Sequence, residues 1–169
     1  VLELSTPARI AWRPHLAVEG VSLKGGEAAL EGAAVLGPAG KLAVSARRFP
    51  SRWISDLVSL PGPAWTIASL DWRGTWDRAP MEYALNSAVE IEIGADRGAT
   101  VVVAARGDAG GLVLESLRAS EVDEAVVDAS GRVPIQLSPG TGPFLRLDED
   151  GALAVQARVA PNAAFWTKL

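Results

Sequence analysis

Apolar and polar residues alternate along most of this chain with the two-residue period of strands that bury one face. The longest run is MEYALNSAVEIEI. There Met81, Tyr83, Leu85, Val89, Ile91 and Ile93 fall on one face and Glu82, Asn86, Glu90 and Glu92 on the other. Its length predicts a bend or bulge near Asn86–Ser87. In SLDWRGTWD, Leu70, Trp72, Gly74 and Trp76 oppose Ser69, Asp71, Arg73, Thr75 and Asp77. AVVDASGRVPIQL sets Val127, Val133, Ile135 and Leu137 against Asp128, Ser130, Arg132 and Gln136. Pro134 inside that run predicts an edge or a bulge, because proline donates no ladder hydrogen bond. GDAGG between ATVVVAAR and GLVLESLRAS predicts a hairpin, and DEDG at Asp148–Gly151 predicts a turn joining FLRL to ALAV.

One segment breaks the alternation. After Pro50, Trp53, Ile54, Leu57 and Val58 have helical spacing, Ser51 is placed to cap them, and Pro61-Gly62-Pro63 stops them. This predicts a short helix from Ser51 to about Leu60, two to three turns at roughly 3.6 residues per turn.

The chain also repeats itself. GKLAVSARRFPSRWI (40–54) and GALAVQARVAPNAAF (151–165) align at an offset of 111, with seven identities in the 11 positions from Gly40 to Pro50. Each copy reads as strand, Arg, Pro and capped short helix, the second with Asn162 as cap and Phe165, Trp166 and Leu169 opening an apolar face. Units that bury their faces against neighbours recur in this way, and the long period predicts a continuous irregular sheet rather than blades or coils. With Val1 at its start and the second copy breaking off at Leu169, residues 1–169 are expected to be one segment of a longer β-repeat array, about one and a half repeats.

Composition narrows the chemistry. The chain's 169 residues fit one domain, and a net charge of −4 argues against nucleic acid, which needs a concentrated basic surface. There is no Cys, hence no disulfide, thiolate nucleophile or Cys-ligated metal. No apolar run reaches the ~18–20 residues that span a bilayer. A triad or zinc site would have to be built on His15, the single histidine, between Pro14 and Leu16. GPAGKL is similar to a phosphate loop, but the spacing is short and Leu42 stands where the hydroxyl belongs, so it reads as a turn. The acidic groups Asp148, Glu149 and Asp150, and Glu121, Asp123 and Glu124, lack the loop spacing of a calcium site and read as solvated charge. Glu82, Glu90 and Glu92 share one strand face, whereas hydrolytic carboxylate pairs converge from different elements. The expectation is no catalytic residue, no metal, no cofactor, and a protein that is not an enzyme. Trp72 and Trp76 in phase also permit an aromatic platform for sugars, although Leu70 in the same phase points them toward an interior.

The stretches LAVSARRFPSRWISDLVSL, ASLDWRGTWDRAPMEYALNSAVEI and GDAGGLVLESLRAS…ASGRVPIQL resemble the β-repeat region of the TamB family, the translocation and assembly module proteins related to the AsmA-like proteins. Leu70, Arg73-Gly74-Thr75-Trp76 and Ser130-Gly131-Arg132-Val133-Pro134-Ile135 occupy the places of that family's motifs, and the likeness covers most of residues 28–169. The resemblance implies a mainly β fold: a curved antiparallel sheet forming a U-shaped trough, a β-taco, with one or two short helices. It further implies a full-length protein anchored in the inner membrane and crossing the periplasm. Its implied role is phospholipid transport to the outer membrane, outer-membrane protein assembly, or both. The implied partners are phospholipid acyl chains and an Omp85-class barrel. The expected lining of the trough is Leu70, Trp72, Trp76, Tyr83, Leu85, Val89, Ile91, Ile93, Val133 and Ile135. Alternation alone serves a closed core equally well. A carbohydrate-binding β-sandwich and a purely structural protein-docking β-repeat therefore stay open.

Overall fold

Strands account for nearly all the regular structure in a computed structural model of the chain, which describes residues 3–55, 63–78, 80–92, 98–121, 124–139 and 144–160. In chain order the strands are β1 (Glu3–Leu4), β2 (Arg9–Ala11), β3 (Leu16–Gly25), β4 (Ala28–Leu36) and β5 (Ala39–Pro50). After the helical turn α1 (Arg52–Ser55) come β6 (Trp65–Asp77), β7 (Glu82–Glu92), β8 (Gly98–Asp108), β9 (Gly111–Glu121) and β10 (Glu124–Val133). The last three are β11 (Ile135–Leu137), β12 (Leu145–Leu147) and β13 (Ala154–Val159).

Eleven strands form one open antiparallel sheet in the order β1-β3-β4-β5-β6-β7-β8-β9-β10-β13, with β2 sharing the outer edge of β3. From β3 to β10 every strand pairs with its neighbour in sequence, so the wall is built from successive hairpins. The fold is all-β, as the alternation predicts.

The sheet curves where the alternation slips. Val18 and Val21, Ile67 and Leu70, and Leu114 and Leu117 are each three apart, a spacing that would turn the second residue to the wrong face of a regular strand. The register shifts at these three places and near Val126, so one extra residue bulges out and the apolar side chains stay together. The irregularity expected in β7 at Asn86–Ser87 is instead in β6, around Ala68, while β7 pairs with β8 without a break.

Pro134 splits its run into β10 and β11. Its missing N–H ends the ladder, its carbonyl accepts the Asp148 amide at 2.8 Å, and β11 pairs with β12 as a separate two-stranded arm. The DEDG stretch is the expected turn, closed by the Gly151 amide on Asp148 O at 3.1 Å, and it carries the chain from the β11–β12 ladder back to the β10–β13 ladder. The arm reaches across the sheet's end, where Leu137 O accepts the Met81 amide at 2.7 Å and Gln136 Nε2 donates to Ala109 O at 2.6 Å.

Of the helix expected over Ser51–Leu60, α1 occupies Arg52–Ser55, and residues 56–62 lie outside the described residues. Ser51 ties its start to β6, donating its amide to Trp65 O and accepting the Trp65 amide on Oγ. Trp53 packs edge-on against Phe49 at 5.2 Å between ring centroids. Both aligned stretches are strands, β5 and β13; the helical part of the second copy falls in 161–169, outside the described residues.

Candidate functional site: one apolar face

Cross-strand register places residues on a common face row by row, because directly paired residues point the same way. One row runs Val21, Gly32, Val44, Trp72, Leu85, Ala105, Leu114, Gly131, Val155 through nine positions from β3 to β13 without a polar side chain. A second runs Leu42, Gly74, Tyr83, Gly107, Leu112, Val133, and a third Phe49, Ile67, Val89, Val101, Ala119, Val127, Val159. Trp65, Ile91 and Ala99 begin a fourth, which ends on the paired carboxylates Glu121 and Glu124.

The opposite face carries the charge. Arg73–Asp71 at 2.9 Å, Arg106–Glu115 at 3.0 Å and Arg118–Asp128 at 3.0 Å are ion pairs there, all well exposed. Such pairs contribute about 0–1 kcal/mol each, so they identify the wet side more than they hold the sheet.

Of the expected lining, Leu70, Trp72, Tyr83, Leu85, Val89, Ile91 and Val133 share the apolar face and are half-buried; Trp76 shares it and is buried. Ile135 is half-buried but sits in the arm opposite Leu147, beyond the break at Pro134. Ile93 lies outside the described residues. Sequence reading missed the small residues of this face. Ala46, Ala99, Ala105 and Ala119 of this face are buried. The glycines leave room for large side chains: a methyl on Gly40 would overlap the Trp76 indole, one on Gly74 the Met81 side chain, and one on Gly107 the Tyr83 ring. Their signal was in the sequence, as Ala and Gly in phase with the large residues.

Polar atoms on this face are few. Trp76 Nε1 donates to Gly37 O at 2.8 Å, but the buried Trp72 Nε1 has no hydrogen-bond partner. Burial raises the Tyr83 phenol pKa above its ordinary value. An exposed sugar-stacking platform is not what Trp72 and Trp76 form, since one is half-buried and the other lies over Gly40.

His15 is exposed at the start of β3, and among the described residues no group of three or more His, Asp or Glu side chains is placed to hold a metal. No described helix is long and apolar enough to cross a membrane. No family model matches the chain, and neither a curated protein nor a solved structure does.

Proposed function

We propose that this chain is a segment of an envelope protein similar to the TamB family, and that its apolar face carries phospholipid acyl chains across the periplasm toward the outer membrane. In the full-length protein the same trough would support outer-membrane protein assembly with an Omp85-class barrel. The observation that carries this reading is the set of apolar rows continuous from strand to strand on one face of a single open sheet. Transfer of acyl chains onto such a face gains about 0.8 kcal/mol per CH₂ taken from water. Neighbouring rows offer equivalent surface, so no step along the sheet demands a large barrier. An acid, a base or a metal is not needed.

Photocrosslinking tests it. Benzophenone side chains at Leu85 and Val89 should capture an acyl-tagged phospholipid, whereas the same groups at Ala84 and Glu90 on the opposite face should not. Equal capture from both faces, or none from either, would overturn the reading.

A further inference from the structure

The aligned stretches are equivalent in the sheet as well as in sequence, and this bears on the outer edge of β13, which meets no strand among the described residues. In the first copy Gly32 pairs with Val44, and in the second Gly131 pairs with Val155. The preceding strands differ in sequence offset, 99 from Gly32 to Gly131 against 111 from Val44 to Val155, and the twelve-residue difference is taken up by the β11–β12 arm. β4–β5 and β10–β13 are thus one strand pair built twice.

The copies differ on their far side. β5 is covered there by β6, whereas β13 has no neighbour beyond β10 among the described residues. Ala46 is 2% exposed beneath its neighbours, while its counterpart Ala157 is exposed and Val155 is 50% exposed.

The backbone agrees with the side chains. The Arg78 amide bonds Pro38 O, and counting inward by twos aims the amides and carbonyls of Val44 and Ala46 at Trp72 and Leu70 of β6. The Ala160 amide bonds Val126 O, and the same count turns Val155, Ala157 and Val159 away from β10. The groups that bind β6 in the first copy meet no strand in the second among the described residues.

We infer that the outer edge of β13 is a docking site for an extended partner strand with the alternation of β6. The strand runs antiparallel to β13, with a large aromatic opposite Val155 and an aliphatic residue opposite Ala157. Main-chain hydrogen bonds supply the attachment, and the partner's apolar side chains continue the rows of the sheet's apolar face. This inference does not depend on the lipid reading.

A labelled synthetic peptide of residues 63–78, added to the whole chain, tests the site by fluorescence anisotropy. Saturable binding is expected. Ala157→Pro, which removes one outward N–H and none from the β10 ladder, should weaken binding at least tenfold with the circular dichroism unchanged. A peptide N-methylated at Leu70 and Trp72 should not bind the unaltered chain, and this arm decides the matter if the proline variant fails to fold. Absence of peptide binding, equal binding of the N-methylated peptide, or self-association of the chain through β13 that excludes the peptide would each overturn the inference.

Discussion

Trp72 and Trp76 stand in phase on the same face of β6, yet only Trp76 has a partner for its indole N–H, the Gly37 carbonyl at 2.8 Å. A buried donor left unpaired costs about 1–3 kcal/mol, and an apolar replacement removes that cost. Trp72→Phe should therefore leave stability within about 1 kcal/mol of the parent, the smaller ring's lost contacts offsetting the relief. Trp76→Phe forfeits both contacts and a hydrogen bond and should cost about 2–3 kcal/mol in urea unfolding. Equal losses of stability in the two variants would contradict the assignment of the unpaired donor.

Gly40 leaves room for the Trp76 indole across the β5–β6 ladder. Gly40→Ala should destabilise by about 1–3 kcal/mol through overpacking. Combined with Trp76→Leu, it should cost less than the sum of the two changes, because the shortened side chain frees the contested volume. Additive losses in a double-mutant cycle would show that the two residues do not share that space.

Tyr83 is the single tyrosine, so its titration is readable in the ultraviolet without deconvolution. Burial raises its pKa in the folded chain because the phenolate is the form that desolvation penalises. The unfolded chain titrates near pH ~10. Below that value both states hold the proton and Tyr83 contributes no pH dependence. Above it the unfolded state releases the proton first, so stability falls as pH rises through the folded pKa. Tyr83→Phe should remove this part of the alkaline slope. An ordinary titration midpoint in the folded chain would refute the buried placement of the ring.

Half-buried and buried positions on the apolar face should respond differently to charge. Ile91 is half-buried, so Ile91→Asp keeps access to water and should cost about 1–3 kcal/mol, leaving the chain folded but poorer at lipid capture. Ala119 is 7% exposed, and Ala119→Asp should cost about 3 kcal/mol or more. Circular dichroism with urea titration separates the two outcomes. Unfolding by Ile91→Asp would mean a closed core rather than an open face.

Alternation by itself determined that this chain is made of strands, and which side chains of each strand lie together. That Leu70, Trp72 and Trp76 share one face of β6, and Tyr83, Leu85, Val89 and Ile91 one face of β7, was legible for that reason: a two-residue period is a local property of extended backbone. The three-residue spacings at Val18–Val21, Ile67–Leu70 and Leu114–Leu117 were legible too, but only pairing shows that a bulge absorbs each one. Tertiary structure alone decided the neighbours. Backbone amides and carbonyls are the same on every strand, so a strand's pattern does not name the edge it meets. Ile135 shares the phase of Val133 yet joins another ladder, because Pro134 ends the first one. Ala46 and Ala157 hold the same place in a repeated stretch, and among the described residues one is buried and the other exposed because β6 lies beside the first alone.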